Sequence, residues 1–143
     1  MNHIAIMRKS WGLLPKIISG EKTIESRWYK NKVAPWGKIS AGDVIYFKNS
    51  GEPVTFKVKV VKVLQFENLT LKKIRELLIK YGKEIGISDY EMFNDKKYCL
   101  LIFLDNPKKI KPFEINKQGF GNMAAWICVE DVDRIKLQCT SDF

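Results

Sequence analysis

Val54-Thr-Phe-Lys-Val-Lys-Val-Val-Lys-Val63 is the stretch that decides the fold. Val54, Phe56, Val58 and Val60 alternate with Thr55, Lys57 and Lys59, the period-two pattern of a strand with one face buried and the other in water. The phase slips at Val60-Val61, after which apolar Val61 and Val63 flank Lys62. An extra residue at such a slip is a β-bulge or bend, which curls a sheet toward closure.

The flanking segments complete an α+β pattern. Asn2 to Met7, Thr23 to Trp28, Asp43 to Lys48, Tyr98 to Leu104, Lys111 to Ile115 and Trp126 to Val129 read as further strands, with turns at Asn49 to Pro53 and at Asn106-Pro107. Trp11, Leu14, Ile17 and Ile18 follow helical spacing between Ser10 and Gly20, with Gly20 placed to end the helix and Trp11 as a candidate inward anchor. Leu71, Ile74, Leu77, Leu78, Tyr81 and Ile85 form a longer amphipathic stripe opened by Thr70, and Ser88-x-x-Glu91 is a capping box for a shorter helix. Without regular βαβ alternation these elements predict a mixed or mainly antiparallel β-barrel with flanking helices. At 143 residues the expectation is a single domain, 1–143.

Composition narrows the chemistry. The formal charge of +9 attracts polyanions, so nucleic acid is the first partner to test, although a lysine-rich bias alone gives the same excess. No apolar run approaches the ~18 residues of a spanning helix, and the N-terminus lacks a secretory pattern, so no membrane partner is expected. Cys99, Cys128 and Cys139 are odd in number without C-x-x-C spacing, which suits reduced thiols in a cytoplasmic protein, and a monomer is expected. With His3 the only histidine, neither the common zinc sites nor a histidine triad is expected, and no cofactor is called for. Any catalysis would run on Lys, Glu, Asp, Arg or Tyr.

The densest polar cluster is Gly20-Glu-Lys-Thr-Ile-Glu-Ser-Arg-Trp28. On an extended strand Thr23, Glu25 and Arg27 share a face, and Lys22 stands at the turn entering it, which sets an acid between two bases. Arg27 could fork onto a phosphate or a base edge, Glu25 could accept from an amino group or orient the cations, and Lys22 is a point charge or, if desolvated, a nucleophile. A solvated strand face with an ion pair reads the same way.

Gly20, Lys22, Thr23, Glu25 and Arg27 resemble the G-x-K-T-x-E-x-R signature of the ASCH domain, within the PUA-like superfamily. Gly42-Asp-Val-Ile-Tyr-Phe47 and the closing Gly119-Phe-Gly-Asn-Met-Ala-Ala-Trp126 are also similar to that family, so the likeness runs from about Ile4 to Ile135. It implies a PUA-like barrel whose basic cleft binds RNA or a modified nucleotide or nucleoside. It also implies a second activity: some small members are metal-independent amidohydrolases that cleave N4-acetylcytidine with a Lys, a Thr and a Glu, and others are described as nucleases. Lys22 matches the catalytic Lys of that branch and Arg27 its Arg, but Glu25 stands where the branch has its second Thr. Glu67, Glu76 and Glu84 are all open as the acid. An adjacent carboxylate such as Glu25 favours the charged ammonium of Lys22, against a nucleophile.

Around this cluster the expected ligand-binding set is Lys22, Glu25, Arg27, Trp28, Trp36, Asn49, Lys117 and Asn122. Trp28 and Trp36 flank a loop with Lys30, Lys32 and Lys38 and are the stacking candidates, whereas Trp126 sits in an apolar run and reads as core. Asn49 could bond a base or simply serve its turn. Gly119-x-Gly121-x-x-Ala124 has too little chain after it for a dinucleotide fold. It reads either as a loop turning its amides and Asn122 to the cleft, with Lys117 as phosphate anchor, or as a tight turn. Lys57, Lys59 and Lys62, with Lys72, Lys73 and Lys80, are a solvated face or a track for a nucleic-acid backbone. A protein-interaction module meeting an acidic partner is the remaining class.

Overall fold

A computed structural model describes residues 1–87, 91–121 and 124–137. Strands β1 (Asn2–Met7), β2 (Ile24–Tyr29), β3 (Val44–Asn49), β4 (Val54–Phe66), β5 (Tyr98–Phe113) and β6 (Trp126–Val129) form one six-stranded sheet in the order β2-β5-β4-β3-β1-β6. Only β1 and β3 run parallel; the other neighbours are antiparallel. Helices α1 (Leu13–Ser19) and α2 (Leu71–Ile85) flank it. This is the expected α+β, PUA-like architecture, in the form of a half-barrel.

The curl comes from the anticipated slip. Val60 pairs with Leu104 and Lys62 with Phe103, so Val61 is the extra residue of a bulge. Phe56, Val58 and Val60 from β4 join Ala5, Phe47, Leu100, Ile102 and Trp126 in one buried cluster with Leu14 and Ile17 of α1. Residues of β5 and β6, four places apart in the strand order, can share a cluster only on the inside of a curled sheet. A second cluster lies outside it, where Ile74, Leu77, Leu78 and Ile85 of α2 cover Ile24, Trp28, Cys99 and Leu101. Thr70 caps α2 by accepting from the Lys73 N–H at 3.2 Å.

Three expectations change. The helix from Ser10 is interrupted: Lys9–Trp11 is a 3-10 turn, Gly12 takes a left-handed φ of 63°, and α1 starts only at Leu13. Trp11 is consequently exposed rather than an inward anchor. Asn106-Pro107 does not end a strand, because β5 runs on to Phe113 and absorbs the pair as a bulge between the Lys59–Asp105 and Lys57–Lys108 pairings, with Asn106 at φ 56°. A bulge tolerates both the positive φ and the missing proline N–H. The capping box at Ser88 lies outside the described residues; Glu91–Phe93 is a 3-10 turn. Among the described residues no helix is long and apolar enough to cross a membrane.

Candidate functional site

β2 ends the strand order and pairs only with β5. Leu104 N–H bonds the Thr23 carbonyl, so the odd residues Glu25, Arg27 and Tyr29 turn their main chains to β5. The even residues Ile24, Ser26 and Trp28 turn theirs to the open seam. Across that seam lie the end of β1 and the approach to β6, and between them opens a cleft of about 570 Å³. Its walls include Met7, Arg8, Trp11, Glu25, Arg27 and Trp28.

Lys22 reaches the site from the turn after α1, which Gly20 closes at φ 82°. Its ammonium is only 1% exposed, donates to the Ile24 carbonyl at 2.8 Å and to the Ile85 carbonyl, and stands 3.5 Å from Glu25 Oε1. Ile85 ends α2, so the charge also sits at the negative end of that helix. Burial pushes the Lys22 pKa below its ordinary value and outweighs the upward pull of Glu25. Glu25 is itself buried, and its Oε2 lies 3.4 Å from Arg27 Nη2. The acid between two bases is therefore real, but it is folded inward rather than displayed on a solvated strand face.

Arg27 bridges the seam. Its Nη2 also approaches Met7 Sδ of β1 at 3.2 Å, and its Nη1 donates to the Ala125 carbonyl at 3.4 Å, just before β6. The guanidinium lies 4.9 Å from the centre of the Trp126 ring. Trp126 Nε1 donates to His3 Nδ1 at 3.0 Å, and an indole nitrogen can only donate. His3 therefore carries its proton on Nε2, facing Asp43 Oδ2 at 2.8 Å. Burial lowers the His3 pKa against the pull of Asp43. Burial raises Asp43, but bonds from His3, the Ser40 N–H and the terminal amine outweigh it and hold the carboxyl below its usual range.

Trp28 contributes a different feature. Its ring stacks on Phe93 with centroids 4.5 Å apart, yet its buried Nε1 has no hydrogen-bond partner among the described residues. A buried donor without an acceptor is costly, and such groups mark places where a ligand or water completes the structure.

No protein-family model matches the chain, and no curated protein does. Solved structures do. The ASCH protein of Zymomonas mobilis superposes with a TM-score of 0.64 at 16% identity, over 90% of this chain and 87% of that one. Two mutant forms of it give TM-scores of 0.66 and 0.68 at 15% identity, each over 93% of this chain and over 93% and 91% of theirs. This chain has the ASCH fold.

Within the ASCH fold the expected site residues separate into two groups. Lys22, Glu25, Arg27 and Trp28 meet at the seam cleft, although Trp28 is largely buried rather than exposed as anticipated. Trp36 lies elsewhere, edge-on to Tyr98 at 5.3 Å with Lys32 over its ring, because the loop folds back on β5. Asn49 is held by its own turn, donating to Glu52 at 2.9 Å, and does not line the cleft. Lys117 donates to the Ala124 carbonyl at 3.4 Å, next to cleft-lining Ala125 but not itself in the wall. Asn122 lies outside the described residues. Of the three glutamates left open, Glu67, Glu76 and Glu84, none lines the cleft. Trp126 is core, as read.

Arg8 and Lys96 line the cleft without a signal in the sequence, and so does Trp11, which reads there as an inward anchor. Arg8 sits 5.1 Å over the Trp11 ring, an exposed pair at the rim. The legible signal was Gly12, which ends the 3-10 turn before α1 can bury Trp11.

Proposed function

We propose that the chain binds RNA through a nucleotide or nucleoside unit seated in the seam cleft. The observation that carries this reading is that one concavity of nucleotide size gathers a buried carboxylate, a guanidinium and Trp28, whose buried indole N–H has no partner among the described residues, between aromatic walls. A base offers both donors and acceptors, and the cleft offers both in return. Glu25 accepts from an exocyclic amino group, Trp28 Nε1 donates to a ring or exocyclic oxygen, Trp11 stacks at the rim, and Arg8 and Lys96 meet phosphate. Lys22 is enclosed by Ile24, Ile85 and Glu25 and serves to hold the carboxylate rather than to neutralise phosphate directly. Arg27 touches ligand with its remaining donors. On sequence grounds the reading extends to a single ASCH domain acting as a cytoplasmic monomer.

The test is calorimetric titration with a panel of nucleosides and nucleoside monophosphates, plain and base-modified. Binding by at least one is expected, and Arg27→Ala should weaken it by ~1 to 3 kcal/mol. No binding across the panel overturns the proposal.

One observation favours a hydrolytic use of the same cleft on an N4-acylated cytidine: burial lowers the pKa of Lys22. A neutral Lys22 amine keeps two N–H groups for the Ile24 and Ile85 carbonyls and frees a lone pair on the Glu25 side. Release of cytidine from N4-acetylcytidine by the parent protein, lost in Lys22→Met, would select this reading. Substrate returned intact would exclude it.

A further inference from the structure

The bulge that curls the sheet has a second effect, on charge. Phe56, Val58 and Val60 point into the inner core, so uninterrupted alternation would send Lys62 inward after them. The extra residue resets the phase: Val63 packs inside, while Lys62 pairs with Phe103 and stays on the outer face with Lys57 and Lys59. Residues directly opposite in a ladder share a face, so Lys108, opposite Lys57, joins them. Like charges placed opposite one another destabilise a sheet, and none of Lys57, Lys59, Lys62 and Lys108 makes an ion pair among the described residues. Asp105, opposite Lys59, is the acid in this part of the ladder.

The stripe continues toward α2. Lys62 Nζ stands 5.2 Å over the Phe103 ring, Phe103 meets Tyr81 edge-on at 6.0 Å, and Lys80 Nζ stands 5.2 Å over Tyr81. These half-buried rings brace the lysine stems and hold the cationic heads outward. At the other end Lys57, Lys59, Lys108 and Asn106 line a depression of about 160 Å³ that shares no residue with the seam cleft. Along β4, Lys57 and Lys59 are roughly 7 Å apart, since each strand residue rises about 3.3 Å. That is close to the spacing of neighbouring phosphates on an extended single strand.

We propose that this outer stripe, Lys108-Lys57-Lys59-Lys62-Lys80, is a second binding surface that tracks the phosphodiester backbone of a single-stranded nucleic acid without reading its bases. Lysines that follow one strand along the outer face and continue onto α2 match a linear polyanion, whatever occupies the cleft.

The test is fluorescence anisotropy with a labelled oligouridylate of roughly 15 nucleotides, long enough for one such track, titrated across a range of potassium chloride concentrations. Each phosphate engaged contributes a slope of about −0.7 in log K against log salt for a single strand, so neutralising four contacts should remove a slope of about 3. The comparison is the parent against Lys57→Gln/Lys59→Gln/Lys62→Gln/Lys108→Gln, with thermal denaturation confirming that the variant is folded. Should the four substitutions perturb folding, Lys57→Gln/Lys108→Gln alone should remove a slope of about 1.4. Equal slopes for parent and variants overturn the proposal, as does oligouridylate binding by the parent that is absent or indifferent to salt. Polyglutamate displacing the oligonucleotide as well as unlabelled RNA does would overturn the assignment to nucleic acid. Mononucleotide binding should be unchanged in the quadruple variant, so failure of the cleft reading and failure of this one give different results.

Discussion

Glu25→Gln tests whether the buried cluster is organised as its geometry states. The substitution is nearly isosteric, so packing is preserved and the loss is electrostatic. Lys22 would be left as a buried ammonium with no counter-charge beside it, held by the Ile24 and Ile85 carbonyls and at most by a neutral amide oxygen. At 3.5 Å the Lys22–Glu25 attraction is about 5 kcal/mol with an effective dielectric constant of 20, a gross figure from which the cost of burying the carboxylate is then saved. Removing one partner of a buried pair generally costs about 3 to 5 kcal/mol. The two carbonyls that remain place this case near the lower end, about 3 kcal/mol. For a chain of this length that lowers Tm by roughly 10 °C. The pH dependence supplies the sign. Burial already holds the Lys22 pKa below 10.5 in the folded state, so the unfolded chain binds more protons there, and stability rises as pH approaches 10.5. Removing Glu25, which pulls that pKa upward, widens the window, so the deficit of the variant should shrink as pH is raised toward 10.5. The assay is urea denaturation of the parent, Lys22→Met, Glu25→Gln and the double variant between pH 7 and the alkaline limit of reversibility. A loss below about 1 kcal/mol in Glu25→Gln, or strictly additive single losses in the double variant, would refute the pairing.

His3 and Trp28 give two further expectations. His3 is held neutral by burial, so its contribution is complete above the ordinary value of 6.5 and is lost as pH falls below it. Asp43, held below 3.8, contributes above that value and fails only at lower pH. His3→Gln should therefore flatten the urea midpoint between pH 6.5 and 4 while leaving the steeper acid limb, and an unaltered profile would count against the Asp43-His3-Trp126 chain. Trp28→Phe keeps the stack on Phe93 and deletes an unpartnered donor, so thermal stability should hold or rise by about 1 kcal/mol while affinity for the cleft ligand falls. Reduced stability with unchanged affinity would make Trp28 purely a core residue.

Elements governed by a local period were legible in the sequence. The slip at Val60-Val61 announced the bulge, the stripe from Leu71 to Ile85 announced α2, and Lys22-x-x-Glu25-x-Arg27 announced the cluster. Features set by long-range packing were not. Burial of Lys22 depends on Ile85 and Gly86, more than 60 residues away in sequence, and on the curl that brings α2 over the turn. The contact of Arg27 with Ala125 spans 98 residues and exists only because the sheet nearly closes. Trp36 and Asn49 were misplaced because a basic loop and a turn signal exposure without saying where they face. Asn106-Pro107 was read as a turn because its composition suits a turn and a bulge equally.

The seam explains why the same side chains serve stability and recognition. A half-barrel leaves two strand edges facing one another with main-chain groups to satisfy, and water or side chains must meet them. Lys22 satisfies the Ile24 edge carbonyl, Arg27 adds a second bond to the Ala125 carbonyl that already accepts from the Ile6 N–H, and Glu25 supplies the negative charge that lets two cations sit so close together. A guanidinium has five N–H donors, and besides its contacts to Glu25, Met7 and Ala125 that of Arg27 also bonds the Tyr29 hydroxyl. The donor capacity that remains belongs to the member of the cluster most open to the cleft, since Lys22 is fully enclosed and Glu25 nearly so. The motif is thus a device for presenting one oriented guanidinium beside a desolvated carboxylate. Arg27→Lys would retain the charge but lose the planar fork, the stack on Trp126 and the reach to both edges at once. It should therefore lower ligand affinity nearly as much as Arg27→Ala, and full affinity in Arg27→Lys would show that charge alone is being used.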